Sequence, residues 1–157
     1  MAAKAFEQIL THLKSLGYEI VHEDEKIYAR SNSIDKSSFF ISQNGRGIQF
    51  MDTNSGNAYA KEDRLGFLEY INSLNNKASV ARYYINKEYR LFTLAWYPYL
   101  YDQVTFDMFL DDFNDDSSYS NLVASKYFGK TEQEISRELS RYHSPFSLED
   151  ALAKLPK

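Results

Sequence analysis

The chain has no cysteine, and only three prolines, six glycines and one tryptophan among its 157 residues. Without thiols there is no disulfide framework, no cysteine-held zinc or iron–sulfur site and no cysteine nucleophile. No stretch approaches 18 consecutive apolar residues, so no membrane span is expected. The opening Met1-Ala2-Ala3 is followed by Glu7, Gln8 and His12, which interrupt any signal-peptide core and read as a helix start. An Asn-x-Ser/Thr acceptor is also missing. These absences fit a cytoplasmic address. Positive charge is in short supply too: 18 Lys and Arg against 22 Asp and Glu give a net charge of -4 and a pI near 5.4. That balance argues against nucleic acid and anionic membranes as main partners.

Aromatic residues are plentiful. Thirteen tyrosines, eleven phenylalanines and the tryptophan make 16% of the chain, with hydrophobic content at 43%. A chain of this length forms one domain and can remove roughly 70% of its unfolded surface from water, enough to fold without a metal or disulfide.

Periodicity places these residues. Phe6, Ile9, Leu10, Leu13 and Leu16 recur at helical steps, and Gly17 stands where a helix C-terminus favours glycine. Two hairpins follow, Tyr18–His22 with Ile27–Ser31 and Phe39–Gln43 with Ile48–Thr53, the second turning at Asn44-Gly45-Arg46-Gly47. A second helix is expected from about Glu62 to Asn75, then strands over Ser79–Asn86 and Arg90–Tyr97, ended by Pro98. A third helix begins near Val104 or Thr105 and is expected to fray or stop near Asp115–Ser118, where clustered aspartates oppose the helix dipole, with a continuation after a break through Tyr119, Leu122 and Val123 as the alternative. The order α-β-β-β-α-β-β-α, with four or five strands, defines an α+β fold for residues 1–128. Residues 129–157 read as a helical extension, opened by the capping-box pattern Thr131-Glu132-Gln133-Glu134.

Catalytic patterns are sought and not found. Three histidines, His12, His22 and His143, accompany no nucleophile motif of the Gly-x-Ser-x-Gly kind. His12, beside a helix stripe, and His22, at a strand end, read as structural or solvent-facing. Gly45-Arg46-Gly47 joins strand to strand, whereas a dinucleotide loop must lead into a helix. Asp112-x-Asn114-x-Asp116 imitates the start of a calcium loop, but Ser117 stands where glycine is needed and Val123 where glutamate is needed. No cofactor and no metal is expected.

Two surfaces remain. Asp107, Asp111, Asp112, Asp115 and Asp116 give the third helix an acidic face suited to a basic partner. In Leu91–Tyr97 both alternating sets are apolar, as in a strand covered on both faces. The cover is expected from the C-terminal helices, a second subunit or a client segment.

Ile71-Asn72-Ser73-Leu74-Asn75, Ala81-Arg82-Tyr83-Tyr84-Ile85-Asn86 and Leu91-Phe92-Thr93-Leu94-Ala95-Trp96, followed by the acidic, aromatic helix from Val104 to Phe113, resemble the YbjN-like family of bacterial sensory transduction regulators. The resemblance spans roughly residues 4–127. It implies an antiparallel sheet with helices packed on it, similar to type III secretion chaperones, which are homodimeric and lack enzymatic activity. The expectation is a non-enzymatic, chaperone-like or regulatory domain that binds a partner protein through Arg82, Tyr84, Leu91, Thr93 and Tyr97. The alternative is an inhibitory, immunity-type protein using the Asp107–Asp116 helix.

Overall fold

The computed structural model describes residues 2–24, 26–33, 36–54, 63–88 and 90–127. Among these residues the chain runs α1 (Ala2–Ser15), β1 (Tyr18–Glu23), β2 (Lys26–Ser31), β3 (Phe39–Asn44), β4 (Gly47–Asn54), α2 (Arg64–Lys77), β5 (Arg82–Ile85), β6 (Leu91–Tyr97) and α3 (Gln103–Tyr127). The extension expected from residue 129 lies outside the described residues. The six strands form one antiparallel sheet in the order β1-β2-β3-β4-β6-β5. That is one strand more than the four or five expected: each of the six segments read as a strand forms one.

α1 buries Phe6, Ile9, Leu10 and Leu13, the stripe its spacing dictates. Gly17 leaves the helix at φ 91°, a left-handed conformation that glycine adopts without a Cβ penalty. The second hairpin pairs Asn44 with Gly47, and its positive φ falls on Gly47, at 142°. A Cβ there would run into the Tyr97 carbonyl oxygen on β6. This glycine therefore lets β4 approach its neighbour.

Along the strands, alternate residues face the helices. Tyr18, Ala29, Phe39, Ile41, Ile48, Phe50, Ala95 and Tyr97 join the α1 stripe and Phe106, Phe109, Leu110 and Phe113 of α3 in one core. Phe50 sits at its centre, 5.4 Å from Phe39 and 5.1 Å from Phe109 between ring centroids. Each fully buried ring of this size stabilises the fold by roughly 1.5–3 kcal/mol. α2 packs beside α3 and against edge strand β5.

α3 runs unbroken past the expected fraying point. Its aspartates there do not crowd its axis as a uniform acidic patch. Asp116 turns inward and Ser117 is fully buried, so tertiary contacts outweigh the dipole penalty.

Candidate functional site

The residues between the core positions define the sheet's second face. Register places Val21 opposite Tyr28, Tyr28 opposite Phe40, Phe40 opposite Met51, and Met51 and Arg82 on either side of Leu94. This row crosses all six strands, is apolar over five of them and ends on a guanidinium. Its members stand apart from the helix-packed cluster; Val21, Tyr28, Phe40 and Met51 are half-buried, whereas Leu94 is almost wholly buried, at 4% exposure. Thr53, Phe92 and Tyr84 form a parallel row on one side, and Gln49 and Trp96 lie on the other.

Two large side chains stand partly in water on this face: Tyr84 is 45% exposed and Trp96 36%. The Tyr84 and Phe92 rings stack, 4.8 Å apart with an interplanar angle of 8°. Lys26 lies 5.8 Å from the Phe40 ring centroid, and Tyr28 and Phe40 pack at 4.8 Å. The result is a preassembled aromatic surface, which would be ordered before any partner arrives. Tyrosine and tryptophan suit such half-wet positions because each joins an apolar ring to a polar group.

The five residues expected to form the binding surface do not share it. Arg82 and Tyr84 are on this face, but Leu91, Thr93 and Tyr97 point to the helix side and are almost wholly buried. The reason is the two-residue period of β6, where odd positions face the core and even positions face outward. Phe92 and Trp96 take their place, joined by Tyr28, Phe40 and Met51. None of these five is among the expected contact residues, although Tyr28, Phe40 and Met51 each neighbour a core residue of their strand.

The five aspartates are likewise not one surface. The Asp116 carboxylate is buried and accepts backbone N–H bonds from Ser79 at 3.0 Å, and from Val80 and Ala81 at 2.9 Å each. Its carbonyl accepts from the Tyr83 hydroxyl at 2.8 Å. Asp107 pairs with His12 Nε2 at 3.0 Å. Asp111 and Asp115 remain exposed, and Asp112 is half-buried. The imitation calcium loop is helix, with Asn114 accepting from the Ser37 N–H at 3.0 Å and donating to the Tyr18 hydroxyl at 3.3 Å.

His12 has the one arrangement here that imitates a catalytic relay. Its Nδ1 meets the Tyr101 hydroxyl at 2.9 Å while Asp107 holds Nε2. Both ring nitrogens are thereby occupied, and the ring packs 5.4 Å from Phe106. The trio ties α1 to α3 through Asp107 and to the segment before α3 through Tyr101.

Asp52 and Thr93 face each other across β4 and β6 on the core side. Burial raises the Asp52 carboxyl to about 6, against the opposing N–H bond from Thr53. The Thr93 hydroxyl is buried with no hydrogen-bond partner among the described residues.

The outer edge of the sheet at β5 is closed. The Asn75 amide donates to the Tyr83 carbonyl at 3.0 Å and accepts from its N–H at 2.9 Å, imitating a neighbouring strand. Among the described residues no three potential metal ligands converge, and no helix is long and apolar enough to cross a membrane.

No family model matches the chain, and no curated protein matches it. Among solved structures, YbjN from E. coli, described as a candidate transcription regulator, is similar with a TM-score of 0.62 at 12% sequence identity. The match covers 78% of this chain and 93% of that one. Low identity with this degree of superposition establishes architecture alone: the chain has a YbjN-like α+β fold.

Proposed function

We propose that the protein is a non-enzymatic, cytoplasmic regulatory domain that holds a segment of a partner protein on the sheet face opposite its described helices. One observation carries this reading: the half-buried apolar row from Val21 to Met51, continued by the buried Leu94 and flanked by the partly exposed Tyr84 and Trp96. Aromatic side chains with a polar edge and an adjoining arginine are the residue types that dominate protein–protein contacts. The regulatory description of the structurally similar YbjN agrees with it. The inhibitory alternative loses support, because Asp116 and Asp107 are already engaged within the chain.

The test is affinity capture from the native host with the wild-type chain and with the double variant Tyr84→Ala, Trp96→Ala. Both side chains are substantially exposed, so the variant should keep its circular dichroism and cooperative unfolding. A protein retained by the wild type and lost by the variant supports the reading. Equal capture by a folded variant refutes it.

A further inference from the structure

Resting on that protein-binding reading, we infer that the occupant of this face is an amphipathic, acidic α-helix of about 16 residues, laid across the strands with its apolar stripe on the half-buried Val21–Met51 part of the row and a carboxylate on Arg82. Three features of the sheet point to this occupant.

Its length and direction come first. The row crosses the strands rather than following one of them. Five inter-strand steps of roughly 4.8 Å give a track about 24 Å long. A helix rising 1.5 Å per residue covers that distance in about 16 residues. The flanking pairs, Tyr84 with Phe92 and Trp96 with Gln49, form shoulders on either side of the track near Arg82.

The alternative of an added strand is disfavoured where the aromatic cluster lies. Strand addition takes place at a sheet edge through unpaired backbone groups. At β5, the edge beside Tyr84, the Asn75 amide already fills both groups of Tyr83. An extended peptide would therefore have to displace Asn75 before it could pair there.

Charge selects the chemistry. β4, β6 and β5 present one charged side chain to this face, Arg82, whose guanidinium donates to the Ala81 carbonyl and forms no ion pair among the described residues. Farther along, Glu19 is paired with Arg30 at 3.4 Å, while Lys26 lies over Phe40 beside the track. A carboxylate-bearing helix meets these cations, whereas a basic helix would bring like charge against Arg82.

A phage-displayed library of random 16-residue peptides, selected on the immobilised protein, tests the inference. Enriched sequences should carry apolar residues three and four apart with Asp or Glu beside them. The corresponding synthetic peptides should gain helical circular dichroism on binding and bind Arg82→Glu at least about tenfold more weakly. Winners that alternate apolar and polar residues, that are basic, or that ignore Arg82→Glu overturn the helix while leaving the protein-binding face in place. Concentration-dependent self-association abolished by Trp96→Ala would assign the face to a second copy and likewise overturn it. No enrichment, or enrichment insensitive to the Tyr84→Ala, Trp96→Ala pair, overturns both readings.

Discussion

Replacing Asp116 by alanine removes the carboxylate that ties α3 to the connection between α2 and β5. Three backbone N–H groups, those of Ser79, Val80 and Ala81, lose their acceptor together. A hydrogen bond to a charged group contributes roughly 1.5–3 kcal/mol, and a buried donor left unpaired costs a further penalty. The three do not simply add. Ser79 is exposed and Val80 half-buried, so water can replace part of their bonds, whereas Ala81 is fully buried. The expected loss is therefore about 3–4 kcal/mol, a large share of the roughly 5–15 kcal/mol that holds a domain folded. Urea unfolding followed by circular dichroism measures it, with the Tyr83 hydroxyl bond to the residue 116 carbonyl preserved as a backbone contact. Asp116→Asn keeps one acceptor oxygen and should recover about half of the loss. Hydrogen exchange should show the amides of residues 79–81 losing protection in the alanine variant before the core does. A loss below about 1 kcal/mol, with those amides still protected, would refute the reasoning.

Other consequences follow from the same geometry. Gly47→Ala should destabilise by about 2–3 kcal/mol, through positive φ and collision with the Tyr97 carbonyl, while Gly45→Ala, with open space around it, should be nearly neutral; thermal melts of the pair check this. Asp52 holds its proton more tightly folded than unfolded, with a folded value of about 6 against 3.8. Its contribution to stability is thus fully present below pH 3.8 and is lost as pH rises through 6. Asp52→Asn should remove that dependence and stabilise the protein at pH 7 by up to about 3 kcal/mol; denaturant midpoints from pH 4 to 7.5 that run parallel to wild type would contradict this.

The fold was largely legible because its signals are local. The α1 stripe with Gly17, the Asn44–Gly47 turn and the alternation in β3 and β4 each follow from a few neighbouring residues. The site was only half legible for a physical reason. Both faces of β6 are apolar, and periodicity reveals that two faces exist without revealing which one the helices cover. The sequence places Arg82, Tyr84, Leu91, Thr93 and Tyr97 together on the surface, whereas the last three belong to the core side. The aspartates mislead in the same way. Nothing local distinguishes Asp111, in solvent, from Asp116, whose amide partners lie 35 to 37 residues away. That long-range capture also explains why α3 continues where local charge predicted fraying.

The central claim is that the sheet face opposite the described helices, and no other surface, receives the partner. Trp96 is the single tryptophan of the chain and stands on that face, 36% exposed, so its fluorescence reports on occupancy directly. The decisive measurement is acrylamide quenching of Trp96 in the free protein and at saturating concentrations of a tryptophan-free binding segment from the captured partner. The account predicts a blue-shifted emission and a markedly lower quenching constant in the complex. Unchanged emission and quenching at saturation would contradict it.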